Sequence, residues 1–479
     1  MTLLTRDPSI HAIRPEKVVQ FGEGNFLRAF VDWQFDLLNE HTDFNAGITV
    51  VRPIDAGHPK LDTQGGVYTA LIRGINEQGE SVAEPRVITS VNREVMAYGE
   101  YEEVLKIAEN PELEWVVSNT TEAGIVYNDQ DTFDAFPPVS FPAKVTQFLF
   151  RRFEFFNGAQ DMGLIFLPCE LIDANGEALK EIVLKYANEW QLGETFCDWI
   201  MTANTFCSTL VDRIVTGNPK DELSELETAL GYQDNFVVAA EYFYLFVIQG
   251  PKWLESKLKL DQLDLNIKVV EDITPYKQRK VGILNGAHTA MVAVAYLCGI
   301  DTVSEAINDN DVYPFLNRLL EDEVIPSLDM DKDELLAFKD SVIDRFKNPY
   351  IKHYLLSIAL NSMTKFKTRL LPQLLTFTEQ EGTAPKHLSF SLAALYCFYL
   401  GKRGDEEIPL SDDQHLLDPF TAWRAHPETQ ASNVKAFLSM SQHWGCDLTE
   451  LPNLEAMVTG YVSNIQTLGM RAAIQQLSK

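Results

Sequence analysis

The 479-residue sequence predicts an α/β chain, with a doubly wound parallel sheet over residues 1–273 followed by a mostly α-helical region over 274–479. Three observations predict it. Strand-like and helix-like runs alternate from Lys17 to Leu167, strand-like runs nearly vanish after about residue 178, and Asp272-Ile273-Thr274-Pro275 interrupts the pattern where proline breaks it. The length suits two or three folded units. With 46% hydrophobic and 11% aromatic residues there is material for real cores, which excludes disordered and coiled-coil classes.

Taken in order, Lys17-Val18-Val19-Gln20-Phe21 reads as a strand and ends at Gly22-Glu23-Gly24. From Asn25 to about Asn39, Phe26, Phe30, Trp33 and Leu37 recur at helical spacing, and Ile48-Thr49-Val50-Val51 reads as a second strand. Strand, glycine turn, helix and strand open a Rossmann-type, dinucleotide-binding domain. Between Asp55 and Arg93 turn residues and short alternating runs such as Val67 to Ile72 suit an inserted hairpin. Tyr101–Glu109 then reads as helix, Trp115–Ser118 as strand, Pro142–Phe156 as helix and Gly163–Leu167 as strand. Beyond residue 178, amphipathic segments cover Leu179–Trp190, Glu194–Asn204, Val281–Leu297, Val312–Leu319, Ile351–Met363 and Leu388–Tyr399, which makes the second region the helical substrate and catalytic domain.

Forty Lys plus Arg against 69 Asp plus Glu leave a net charge of −29. Without a concentrated basic patch this field repels a phosphate backbone, so nucleic acid is not expected as a partner. The N-terminus carries no basic flank before an apolar run, and no stretch reaches 18 uninterrupted apolar residues, so neither a signal peptide nor a membrane span is expected. Six scattered cysteines without a C-x-x-C pair suit a reduced, cytoplasmic protein with no structural metal. Monomer and small homo-oligomer both stay open.

Gly22 and Gly24, with Asn25 and Phe26 opening the next helix, let backbone N–H groups approach a pyrophosphate; Leu27 stands where a third glycine is usual. After the second strand comes Arg52-Pro53, where an acidic residue would favour NAD. Arg52 suits a 2′-phosphate, adenine or plain solvent, and these alternatives stay open. Asn119, Thr120 and Glu122 form a polar cluster after the strand ending at Ser118, at the end of the sheet where such folds bind ligands. Glu122 would also suit a proton relay to a buried base.

The strongest constellation is Lys280-Val281-Gly282-Ile283-Leu284-Asn285-Gly286-Ala287-His288. On an ideal α-helix Lys280, His288 and Asn285 fall at about 0°, 80° and 140°, one flank of an otherwise apolar segment. Alcohol–ketone redox chemistry moves a hydride and must also move the hydroxyl proton. A partly desolvated lysine suits acid/base work, an asparagine donates to an oxygen gaining alkoxide character, and a histidine orients a neighbouring hydroxyl. None of these roles needs a metal.

The same residues resemble the K-x4-N-x-x-H motif of the polyol-specific long-chain dehydrogenases, the mannitol dehydrogenase family. Phe206 to Ile214 resembles the family's V-D-R-I signature, Ser118 to Gly124 its nicotinamide-side loop, and Arg345-Phe346-Lys347-Asn348-Pro349 its R-F-x-N-P motif. Within the family, Pro168 to Asp173, Asn204 to Gly217 and Val281 to Thr289 look closest to members that reduce a hexuronate. The resemblance implies reduction of D-tagaturonate to D-altronate with NADH, Lys280 as acid/base, Asn285 as oxyanion donor, and Asp212 and Arg345 among the substrate-binding residues. One departure stands out. Cys169-Glu170-Leu171 replaces the family's C-D-N, so an oxyanion asparagine becomes Leu171 and a plain hexitol fits less well. A sugar-acid partner needs a cation, for which Arg345, Lys352, Lys365 and Arg369 are candidates, Arg345 foremost.

Rival readings are a mannitol/fructose-type or fructuronate-type reductase, a non-catalytic dinucleotide-binding protein, and the Y-x-x-x-K dyad of short-chain dehydrogenases, which Tyr276 to Lys280 matches literally. The last lacks its serine about a dozen residues upstream, where Gln262, Leu263 and Asp264 stand. Zinc-dependent alcohol dehydrogenation would need Cys/His ligand clusters that the sequence does not present.

Overall fold

The computed structural model of the chain describes residues 1–54, 57, 59–76, 78–120 and 124–477. The chain divides into two compact units, Met1–Asn76 with Val82–Ile273, and Glu77–Ser81 with Thr274–Lys479.

In the first unit six strands form one sheet: β1 (Glu16–Phe21), β2 (Gly47–Arg52), β3 (Val91–Met96), β4 (Trp115–Ser118), β5 (Ile165–Pro168) and β6 (Thr205–Phe206). Their order is β3-β2-β1-β4-β5-β6, every neighbour parallel, which is the doubly wound Rossmann order with its reversal between β1 and β4. The strands read as unbroken apolar runs because both faces are covered. Val18, Val50, Val117 and Leu167 enter one core, and Val19, Val51, Val116 and Phe166 the other.

Two expectations need correction here. The helix after the glycine turn is two pieces, α1 (Asn25–Arg28) and α2 (Val31–His41), parted at Phe30, whose φ of −125° and ψ of −80° are not helical. Phe30 is fully buried and its ring stacks on Phe26 at 4.9 Å, so tertiary packing overrides the helical spacing. Strands also do not vanish after residue 178. Ser208–Asp212, Leu245–Gln249 and Ile267–Val270 form a three-stranded sheet, while Val215–Gly217 and Val238–Glu241 join the inserted hairpin, Tyr68–Ile75 and Ser81–Ile88, in a four-stranded one. Runs of three to five residues are too short to display a period against the helical segments around them.

The second unit is built around α3 (Gly286–Leu297), buried on all sides from Gly286 to Tyr296 and packed on the equally buried helix Lys386–Tyr399. The chain is already helical from Thr274, and residues Lys280–Asn285 form a π turn between Thr274–Arg279 and α3. Two further helices matter for the site, α4 (Lys332–Phe346) and α5 (Ser362–Arg369). The helix expected over Ile351–Met363 is instead a short turn of helix, Leu355–Ile358, and then α5. Asn361 separates them in the left-handed conformation, φ 54°, which a helix interior cannot contain and which asparagine tolerates well. Among the described residues no helix is long and apolar enough to cross a membrane.

Candidate active site

In the sheet unit, three loops meet at the C-terminal ends of β1, β4 and β5. Gly22 leaves β1 at φ +123°, and a Cβ there would lie 2.9 Å from the Asn119 carbonyl oxygen, so glycine is required by both conformation and space. Gly22 N–H donates to the Val51 carbonyl at 3.0 Å and Asn119 N–H to that of Phe21 at 3.1 Å, which ties the turn to both neighbouring strands at the sheet's switch point. A Cβ on Gly24 would meet nothing within 4 Å, so the turn is open to a ligand as a pyrophosphate approach requires. Asn25 is exposed and holds Arg28 Nη2 at 2.7 Å; Phe26 is half-buried. With only four residues in α1, the backbone N–H groups matter more here than any helix dipole.

Glu170, which the sequence does not single out as a site residue, organises the loop after β4. Its side chain is nearly fully buried; Oε1 accepts from Thr120 N–H at 3.0 Å and from Thr120 Oγ1 at 2.9 Å, and Oε2 from Ser118 Oγ at 3.0 Å. Burial pushes its carboxyl above the ordinary value against the pull of those hydrogen bonds. Asn119 Nδ2 donates to the Cys169 carbonyl at 2.7 Å. Glu122 lies outside the described residues. The signal was available in principle, as an acidic residue directly after an apolar strand.

Arg52 is neither a solvated loop residue nor turned to a ligand. Its side chain is 1% exposed, its Nε meets Glu94 Oε1 at 2.6 Å, and Nη2 donates to the Pro59 carbonyl at 3.0 Å. Glu94 Oε2 also accepts from Leu61 N–H at 2.6 Å, so the ion pair fastens the loop after β2. The structure thus sets Arg52 against a buried partner 42 residues away in sequence, which the strand–loop pattern alone does not display.

In the helical unit, Lys280 and Asn285 bound the π turn, both half-buried, and His288 follows in α3. An i→i+5 turn brings Asn285 nearer the face of Lys280 than the 140° of an ideal α-helix, and π turns are frequent at functional sites. The His288 ring packs on Phe346 at 4.3 Å and His353 at 5.1 Å, and its buried Nε2 has no hydrogen-bond partner. Burial first, then the charges of His353, Arg345, Arg369 and Lys365, hold it far below the ordinary histidine value. The folded ring is therefore neutral, whereas the unfolded chain takes up that proton below about pH 6.5. The unfolded state then binds more protons, so stability falls as pH drops through that window. His288→Asn is expected to flatten the acid limb of thermal stability; an unchanged limb would assign it to other groups.

Arg345, at the end of α4, is thus brought to the cluster together with Lys365 and Arg369. Lys352 is not: it is exposed and lies over the Tyr354 ring at 5.2 Å. Asp212 belongs to the sheet unit, buried at the end of its strand. Leu171 is 65% exposed, and the nearby Asn175 is engaged with the Pro168 and Glu170 carbonyls at 3.0 Å each, so neither rebuilds the missing oxyanion donor. Tyr276 has the Arg279 guanidinium over its ring at 5.0 Å, and burial first, then Glu334, raise its hydroxyl above the ordinary value, which opposes a role as proton donor–acceptor. Tyr276→Phe is expected to cost little turnover; a large loss would revive the tyrosine dyad. No cluster of His, Cys, Asp and Glu able to hold a metal occurs among the described residues.

Comparison with known proteins covers almost the whole chain. The family model described as the mannitol dehydrogenase Rossmann domain matches residues 16–262, and the mannitol dehydrogenase C-terminal domain matches 272–466. An altronate oxidoreductase of Enterobacter sp. (strain 638) is 56% identical over 482 aligned residues, covering 100% of each chain. One of Yersinia enterocolitica is 57% identical, covering 97% of each. Among solved structures, a D-sorbitol dehydrogenase in substrate-free form has a TM-score of 0.80 at 22% identity, over 98% of this chain and 100% of that one. The Pseudomonas fluorescens mannitol 2-dehydrogenase ternary complex with NAD and D-mannitol has a TM-score of 0.64 at 19% identity, over 100% and 96%. At such identities these two speak for the fold.

Proposed function

The chain belongs to the mannitol dehydrogenase family of oxidoreductases, and from that membership we propose that it reduces D-tagaturonate to D-altronate with NADH, in the cytoplasm and without a metal. The observation that carries this reading is the full-length likeness, at 56 to 57% identity, to altronate oxidoreductases. The setting of His288 among Arg345, Lys365 and Arg369 supports a substrate that is an anion.

Bound nicotinamide supplies the hydride. For it, Gly22, Gly24, Asn25 and Phe26 offer backbone and turn, and Asn119 and Thr120, held by Cys169 and Glu170, border the nicotinamide side. The neutralisation of Arg52 by Glu94 favours NADH over NADPH, because that guanidinium is not available to a 2′-phosphate. Lys280 delivers the proton to the carbonyl oxygen, Asn285 donates a hydrogen bond to that oxygen as negative charge develops, and the neutral His288 orients a neighbouring hydroxyl through Nε2. Arg345 and Asp212 contribute to substrate binding. Asn285→Ala is expected to lower turnover about 10²-fold at unchanged NADH affinity; an effect confined to stability would make it a helix residue only.

The deciding experiment follows NADH oxidation by the purified protein with tagaturonate, fructuronate, fructose or buffer alone, each repeated with NADPH. Selective turnover of tagaturonate with NADH is the expected result. Preference for fructose or fructuronate would overturn the substrate assignment, and NADH binding without turnover of any ketose would overturn the enzymatic reading.

A further inference from the structure

Several cations of this acidic chain are matched. Arg52 has Glu94, Arg93 has Glu16, Lys339 has Glu321 and Arg471 has Asp309 and Asp311. Lys365 and Arg369 differ. They stand four residues apart on α5, the spacing at which like charges on a helix repel. Lys365 Nζ donates to the Ile358 carbonyl at 2.7 Å, and Arg369 Nη1 makes one long bond, 3.4 Å, to Thr289 Oγ1. Among the described residues neither has an acidic side chain within ion-pair distance. Both are half-buried, and burial lowers both below their ordinary values, with the charge of Arg369 depressing Lys365 further.

Two adjacent, partly desolvated cations with no acid in contact, only the more distant Asp412 offsetting Lys365, are costly, and a guanidinium with four of its five donors unspent among the described residues is built for a planar, bidentate acceptor. The position is equally specific. Thr289 follows His288 directly, and its hydroxyl donates to the Asn285 carbonyl at 2.9 Å, so Arg369 is fastened one helical turn beyond Asn285. One turn is about 5.4 Å, comparable to the span from ketone to carboxylate in an extended hexuronate. On the same helix the buried Nε2 of the neutral His288 has no hydrogen-bond partner among the described residues and is suited to a hydroxyl.

We propose that Arg369, with Lys365 beside it, receives the carboxylate of the sugar-acid substrate and is the residue through which this site selects a hexuronate over a neutral ketose. The proposal rests on the hexuronate reading above and extends it to a position outside the motifs that the sequence made conspicuous.

The test compares the parent protein, Arg369→Gln and Arg369→Lys with tagaturonate and with tagatose, which carries a hydroxymethyl group in place of the carboxylate. Arg369→Gln is expected to raise KM for tagaturonate about 30-fold with a much smaller change in kcat, from the loss of a charge-assisted contact. Tagatose turnover is expected to stay as it was, and Arg369→Lys to recover part of the loss. Equal losses on both substrates, or no change in KM, would overturn the proposal. Should Arg369→Gln not fold, judged by circular dichroism, the lysine variant carries the same comparison. A calorimetric arm titrates altronate and altritol into NADH-loaded parent and variant. Preference for altronate that disappears in the variant supports the carboxylate seat even if tagaturonate is not turned over, in which case only the reaction assignment fails. Indifference of the parent protein to the charge would overturn the seat itself.

Discussion

Lys280→Ala is expected to lower turnover about 10³-fold while leaving NADH affinity as it is, the size of effect ordinarily obtained by removing a positioned proton donor. The residue is half-buried at the first position of the π turn, so truncation to alanine disturbs little packing and the helix has no propensity reason to fail. Stopped-flow reduction and fluorescence titration of NADH separate the two readouts. Near-normal turnover would end the assignment of Lys280 as the acid. A parallel loss of NADH affinity would mean that it holds the cofactor rather than the proton. If the assignment is right, small primary amines added to the alanine variant restore part of the rate, since the missing function is a proton donor and not a shape.

The second large effect is on stability. Glu94→Ala is expected to destabilise the sheet unit by about 3–5 kcal/mol, because it removes the buried carboxylate that Arg52 Nε meets at 2.6 Å. The side chains are 1% and 0% exposed, so water cannot take over the role of Glu94 without opening the core. The same substitution strips the Leu61 N–H of its acceptor and so loosens the loop after β2 as well. For a unit of this size the melting temperature is expected to fall on the order of 10 °C. A shift of only a degree or two would mean that the pair is nearly neutral in free energy. Arg52→Met in the Glu94→Ala background tests the cause, since removing the buried positive charge as well should restore part of the loss.

The framework of the sheet was readable because β1, β2, β4 and β5 are apolar on both faces and separated by helices with clear spacing. The glycine turn was readable because a strand, Gly22 and Gly24 stand in sequence. The short strands between Ser208 and Val270 were not readable, since each is held by partners distant in the chain: Val238–Glu241 pairs in parallel with residues 70 to 73, supplied by the inserted hairpin. Arg52 shows the same limit from the other side. A polar residue at the right place in a strand–loop pattern suggests a ligand, and only the fold reveals that Glu94 already occupies it. For the segment proposed as catalytic, residue types at 280, 285 and 288 suggest chemistry, but Val281 to Leu284 look like any apolar helical turn and conceal the π geometry. Arg369 was one of four candidate cations in the sequence, of which Arg345 stood foremost; its link to Thr289, next to His288, is what the fold adds.

The π turn has a bearing on how this segment tolerates change in length. A π turn is an α-helix that has absorbed one additional residue, so the chain from Thr274 to Leu297 carries a built-in register offset. Losing any one residue between Val281 and Leu284 would let the helix relax to ordinary α geometry at little cost in backbone hydrogen bonding. Because the π turn takes up its additional residue without advancing the flanking helices, that deletion would leave Lys280 at nearly the same angle relative to His288. One apolar residue taken from this turn would thus spare the relative facing of residues 280 and 288, whereas one taken from a regular α-helical turn rotates everything beyond it by about 100°.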